Sequence, residues 1–264
     1  MSIKDMILRK DESKPKIAAT WILVVAALMV FFLAFFHLTA YPTTWFDEGS
    51  HLHVPKTLLR FGEYADYSSD GFRYFGPTIG VGPTIMLPIA GVFKIFGIGL
   101  LQARVVMALY LLATVYVFYR LSAYLGGQKI AFVATALLVT SRGVGLLEYG
   151  RQVLGEVPGL FFVILGFYLW FSKWDKASFW RLVLAGLMLG LATVTKNQYL
   201  LLLAPTLLGA WILNLIYYRK TPQRVFLIPG IVTALCFGLW QVYMVLYLGP
   251  NTASENLTLL REAT

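Results

Sequence analysis

The chain of 264 residues has one cysteine, Cys236, set inside an apolar run. It allows no disulfide within the chain, has no metal-ligand spacing around it, and says nothing of redox compartment. Charge is also scarce. Only 13% of residues are charged, against about 25% in soluble domains. Length alone would suit one or two soluble domains, but so little charge beside 58% hydrophobic residues excludes that class. Acids are fewer than bases, 13 against 22, giving a net charge of +9. A nucleic-acid partner is not implied, because the cations sit in short clusters between apolar runs, as orientation signals do. Neither an internal repeat nor a low-complexity segment is present.

What fills the sequence is a series of apolar runs. Ile17 to Phe36 carry no charge, enough for a span of roughly 20 residues. Its core exceeds a signal peptide's h-region of about 7–15 residues, so it is read as an uncleaved anchor with residues 1–16 as a cytoplasmic tail. Further spans are expected near 101–119, 129–141, 157–171, 182–196, 198–217 and 225–248. Gly126-Gly127 and Thr221-Pro222 mark tight cytoplasmic turns. Residues 38–100 form a first outer loop, and residues 249–264 begin another.

Within that first loop, residues 79–98 are apolar but punctuated by proline and glycine. If they did not cross, Arg120, Lys129, Lys173, Lys176, Arg181, Arg219, Lys220 and Arg224 would all be cytoplasmic. Outside would stand Arg104, Arg142, Arg151, Lys196 and Arg261. A crossing inverts this bias against the positive-inside rule. The segment is therefore read as an interfacial or re-entrant helix on the outer leaflet. The expected fold is an all-α polytopic membrane protein in a single domain, with about seven transmembrane helices and an interfacial helical loop after the first.

That topology leaves nine acids outside: Asp47, Glu48, Glu63, Asp66, Asp70, Glu148, Glu156, Glu255 and Glu262. Acids hardly affect insertion, so the asymmetry points to a carboxylate-lined outer site. Asp47-Glu48 stands out, just past the first span in Trp45-Phe46-Asp47-Glu48-Gly49. Neighbouring side chains diverge, so one carboxylate can face a reacting atom while the other orients it. The simpler alternative makes Asp47 the N-cap of a short helix.

These pieces together carry a resemblance. An outer Asp47-Glu48 follows the first span; a Pro/Gly-rich segment ends in Phe96-Gly97; Arg104 opens the next span. Later come Tyr149-Gly150-Arg151-Gln152-Val153-Leu154-Gly155-Glu156-Val157-Pro158 and Gly190-Leu191-Ala192-Thr193-Val194-Thr195-Lys196. In this order they resemble the N-terminal half of polytopic GT-C glycosyltransferases of the protein-mannosyltransferase and aminoarabinose-transferase type. Two departures stand. Gly82-Pro83-Thr84-Ile85 replaces a Lys-Pro-Pro-Leu-like run, and members run to about twice this length, so the chain is a fragment or a shortened member.

The resemblance implies transfer of a sugar from a polyprenyl-phosphate carrier to an acceptor hydroxyl on the outer face, with inversion, in an inner or plasma membrane. A general base must take the acceptor proton, a carboxylate stabilises the oxocarbenium-like centre, and cations offset the leaving phosphate. The implied base is Asp47. Glu48 would orient Asp47 or join it in holding a divalent cation, Mg or Mn, and Glu156 is the second carboxylate. Arg151, Lys196 and Arg104 would meet the donor phosphate. The acceptor is left open among protein, lipid and glycan.

Each has a plainer account: helix capping, favourable placement at a helix start for Glu156, an Arg151–Glu148 ion pair, or snorkelling of Lys196 and Arg104. His51 and His53 invite a metal reading, but their i, i+2 spacing splits them across a helix, and surface histidines are expected. Tyr64, Tyr67, Phe72, Tyr74 and Phe75 are read as an interfacial aromatic belt before a sugar platform. A transporter or a non-catalytic membrane subunit is the alternative function. The transporter lacks the inverted repeats and mid-membrane charges such proteins use.

Overall fold

The computed structural model describes residues 17–69, 71–74, 80–172, 178–219 and 221–248. The tail at 1–16, the loop start at 249–264, and the expected cytoplasmic cations Lys173, Lys176 and Lys220 lie outside them. The chain is an all-α polytopic membrane protein. Helix α1 covers Ile17–Phe35, α2 Phe46–Phe61, α3 Pro83–Phe96 and α4 Leu100–Thr140. A short α5, Leu146–Tyr149, precedes α6 at Glu156–Phe171 and α7 at Phe179–Thr195. Then come α8, Tyr199–Leu213, with a π-helical turn to Tyr218, and α9 at Arg224–Leu248.

Among the described residues, three helices are long and apolar enough to span by length and composition alone: α4, α8 with its π turn, and α9. The expected count of seven rests otherwise on shorter apolar helices, including α1, α6 and α7. Apolar side chains such as Val25, Leu28, Leu201 and Leu246 cover the outside, as a chain solvated by lipid requires.

Helix α4 is not one rod. Gly127 adopts φ 81° and ψ 172° inside it, backbone that only glycine takes readily. Val139 shares one core cluster with Ala108 and Leu111. In a straight helix, Leu111 and Val139 would be about 42 Å apart, so the second arm returns along the first. The expected turn at Gly126-Gly127 is therefore present.

Close packing joins α6, α7 and α9. A Cβ on Gly186 would fall 2.7 Å from the Pro229 carbonyl oxygen, and one on Gly190 would fall 2.5 Å from Cys236 Cβ. Small residues four apart let two backbones approach where lipid offers no hydrophobic drive between helices.

The outer segment is more structured than its composition suggests. Helix α3 has 14 residues and a length of about 21 Å, short of the roughly 30 Å hydrocarbon core. One face, Ile85, Met86, Ile89 and Phe93, packs against Val54 of α2 and Ala103 and Met107 of α4. A small hairpin, β1 Asp66–Ser68 and β2 Gly71–Arg73, was not expected from the sequence. Its antiparallel register sets Asp66 opposite Arg73 and Tyr67 opposite Phe72, and Arg73 Nη2 donates to Asp66 Oδ2 at 2.9 Å. The aromatics Phe61, Tyr67, Phe72 and Tyr74 run on through Tyr247 and Tyr243 to Trp240 with ring centroids 5.0 to 6.0 Å apart.

Candidate functional site

Helix α2 starts two residues earlier than a capping Asp47 requires. Trp45 is the N-cap, with no side-chain cap bond, and Asp47 and Glu48 both lie in the first turn. Negative charge is favoured there by the helix dipole. The two carboxylates then part, as neighbours on a helix must: Asp47 is exposed and Glu48 is wholly buried.

Glu48 meets Arg104. Arg104 Nε donates to Oε1 at 2.8 Å and Nη2 to Oε2 at 2.6 Å, and both side chains are fully excluded from solvent. Arg104 Nη1 also donates to the Leu38 and Pro42 carbonyls, each at 2.8 Å. The Val153 N–H donates to Glu48 Oε1 at 3.1 Å. This corrects three expectations. Arg104 has no free donor fork for a phosphate. Glu48 orients no neighbour. The proposed Asp47–Glu48 cation site does not fit either, because both Glu48 oxygens are occupied by Arg104. What the pair does is pin α2, the 38–42 connection and the 150–155 loop to the start of α4.

The same residue of that loop is held from its other side. His51, one turn after Asp47 and buried, bonds through Nδ1 to the Val153 carbonyl at 2.8 Å. Burial lowers the His51 pKa below its ordinary value, and Lys196 acts in the same direction. The Val153 bond and the charges of Asp47 and Glu156 oppose it. Thus Asp47, Glu156 and Lys196 all act on one imidazole. Of the six expected site residues, Glu156 and Lys196 are in direct contact, and Asp47 joins them through its charge on His51.

Glu156 opens α6 and Lys196 follows α7, and the Lys196 ammonium donates to Glu156 Oε1. The Lys196 stem lies over Gly155. Tyr199 Oη donates to the Glu156 carbonyl at 2.5 Å. Lys196 is thus paired rather than merely snorkelling. Beside it opens a cavity of about 70 Å³, lined by Tyr64, Gly80, Val81, Gly82, Val194, Thr195, Lys196, Asn197, Trp240 and Met244. It is well below the roughly 300–1,000 Å³ of drug-sized ligand sites, so it suits one polar headgroup.

Arg151 lies apart from this group. It is buried, donates through Nη2 to the Phe36 carbonyl, and sits over the Tyr41 ring at 5.6 Å. No carboxylate pairs with it among the described residues, so the alternative account, a Glu148 ion pair, does not hold, and its Nε has no hydrogen-bond partner. Burial, with Arg104 close by, lowers its pKa. His53 turns away from His51 to Asp66, 3.2 Å from Oδ1, so the two histidines do not converge.

Sequence reasoning missed His51 as a member of the site. The available signal was its i, i+4 spacing from Asp47, which puts both on one face of α2. Trp240 and Met244 had no such signal; they arrive from α9 by packing alone.

A pH dependence follows from His51. Its folded pKa is below the unfolded value near 6.5, so the unfolded chain binds more protons below that pH. Stability should be full above it and fall as pH drops through the lowered folded value, then level off. Melting curves of detergent-solubilised protein should show this acid-side loss in the wild type and a shallower one in His51→Asn. Parallel curves would refute it.

Residues 81–243 match the dolichyl-phosphate-mannose-protein mannosyltransferase family, more than half of the chain. An uncharacterised protein of Aquifex aeolicus (strain VF5) is 27% identical over 212 residues, covering 75% of this chain and 40% of that protein. ArnT from Cupriavidus metallidurans in the apo state superposes with a TM-score of 0.68 at 17% identity, covering 89% of this chain and 43% of ArnT. The same protein bound to undecaprenyl phosphate gives 0.65 at 18% identity, covering 88% and 42%. The chain spans about two-fifths of the length of these proteins. The match begins at Val81, so Asp47 and Glu48 precede it, while the fold likeness covers nearly the whole chain. On the strength of that match and that fold, the chain belongs to the dolichyl-phosphate-mannose-protein mannosyltransferase family, on an ArnT-like GT-C architecture.

Proposed function

We propose that this chain carries the base-bearing part of a glycosyltransferase that takes a sugar from a polyprenyl-phosphate carrier and passes it, with inversion, to an acceptor hydroxyl. The site faces the outside of an inner or plasma membrane, with the N-terminus cytoplasmic. One observation carries the reading: Lys196, paired with Glu156, lines a small cavity, and the exposed Asp47 acts with both of them on the charge of one imidazole, His51. The likeness to ArnT, a protein solved with undecaprenyl phosphate bound, supports a carrier of that kind here.

Asp47 takes the acceptor proton as the acceptor oxygen bonds to the anomeric carbon. The bond from that carbon to the phosphate oxygen breaks, and the electron pair leaves with the polyprenyl phosphate. Lys196 offsets the phosphate charge, with Glu156 holding it at the cavity rim. Arg151, which lies apart from this group, is given no part in the transfer. The membrane supplies the apolar surroundings for the prenyl tail, and the cavity takes the headgroup alone.

Asp47→Asn in the full-length protein tests this. The exposed side chain is isosteric, so folding and donor binding should persist. Transfer should fall at least about a hundredfold, as loss of a general base requires. Unchanged turnover would remove Asp47 from the role.

A further inference from the structure

The α2 helix directs His51 toward Gly80, a residue that lines the cavity. His51 Nδ1 bonds to the Val153 carbonyl at 2.8 Å. A carbonyl oxygen only accepts, so Nδ1 carries the hydrogen. In the neutral ring Nε2 is then a lone-pair acceptor. Among the described residues nothing hydrogen-bonds it. It points toward Gly80, 3.9 Å from where a Cβ would sit, and Gly80 lines the cavity together with Lys196. The residue is 6% exposed, and Nε2 is not sealed from solvent, so a ligand donor can reach it. Around it stand Asp47 on its own helix, Glu156 from α6 and Lys196 after α7. Two of these are carboxylates, which accept and do not donate. A ligand hydroxyl is the donor that fits.

We infer that His51 is a substrate-binding residue: its Nε2 accepts a hydrogen bond from a hydroxyl seated beside Gly80 and Lys196, on the donor sugar or on the acceptor. This rests on the transferase reading above, and its test separates from that reading.

His51→Asn keeps an amide N–H near Nδ1 and so keeps the Val153 bond, while deleting the group at Nε2. His51→Gln does the reverse. Full-length protein in nanodiscs is titrated with undecaprenyl phosphate, undecaprenyl-phosphate mannose and a threonine-containing peptide. At a pH above the ordinary histidine value, His51→Asn should melt like the wild type and bind the bare lipid phosphate equally. It should lose about tenfold in affinity, one neutral hydrogen bond, for either the mannosyl lipid or the peptide. The first result assigns the hydroxyl to the donor sugar, the second to the acceptor. His51→Gln should recover part of that affinity despite a lower melting temperature. Equal affinities of His51→Asn and wild type for all three probes would overturn the inference, as would a loss that merely follows the melting temperatures. A wild type that binds the mannosyl lipid but transfers nothing would defeat the transferase reading, while the binding comparison still decides His51.

Discussion

Arg104→Met should destabilise the protein by about 3–5 kcal/mol, the cost of leaving one charge of a buried pair without its partner. Glu48 would keep a carboxylate in a site with no solvent access, with only the Val153 N–H still donating to it. The Leu38 and Pro42 carbonyls would lose their donor as well. Arg104→Lys should not rescue it. An ammonium cannot supply a parallel two-point contact to the carboxylate while also reaching two carbonyls, as a planar five-donor group does. Adding Glu48→Gln to Arg104→Met should recover part of the loss, because the stranded charge is gone. Apparent melting temperatures in detergent for the single and double variants give the comparison. A single variant within about 1 kcal/mol of the wild type would mean that the pair is not the anchor of α2. Transfer should fall too, since Asp47 immediately precedes Glu48 in the same first turn.

This pair shows where the sequence was legible and where it was not. The apolar runs located the helices well: the run expected at 225–248 is α9, Arg224–Leu248, and those at 101–119 and 129–141 are the two arms of α4. Hydropathy reports such elements because lipid demands long uncharged segments with every backbone group bonded internally. Glu48 and Arg104 are 56 residues apart, and no period or propensity connects them. Each was read as an independent functional group. The physical rule that buried charges are paired identifies them only once burial is known. His51 is hidden for another reason: its i, i+2 spacing to His53 speaks against a metal pair, and only the i, i+4 step to Asp47 ties it to the site. The hairpin at 66–73 has three-residue strands, too short for an alternating pattern to register. The ends of the apolar runs pointed to Asp47, Glu156 and Lys196, whereas His51, on which all three charges act, carried no such mark.

Gly82→Ala should be nearly as damaging as the loss of Arg104, for a steric reason. A Cβ at residue 82 would lie 1.8 Å from the Val194 carbonyl oxygen and 2.9 Å from its carbon. Backbone cannot swing aside as a side-chain tip can. The φ of −89° at Gly82 suits any residue, so contact alone imposes glycine here. At this point α3 docks on the end of α7: Gly82 N donates to the Thr195 carbonyl at 2.9 Å, and the Thr84 and Thr195 hydroxyls bond at 2.7 Å. A methyl group must push α3 off and break both bonds, at about 3 kcal/mol, the upper part of the usual range for overpacking. The same displacement moves Gly80 and Gly82 away from Lys196 across the cavity they line, so affinity for undecaprenyl phosphate should fall with stability. Gly91→Ala is the control. Gly91 is exposed on the same helix with nothing within 4 Å of its Cβ position, and the change should stabilise by about 0.5–1 kcal/mol through helix propensity. Equal melting temperatures for the two variants would show that α3 is not seated on Val194. The cavity would then have no fixed wall opposite Lys196.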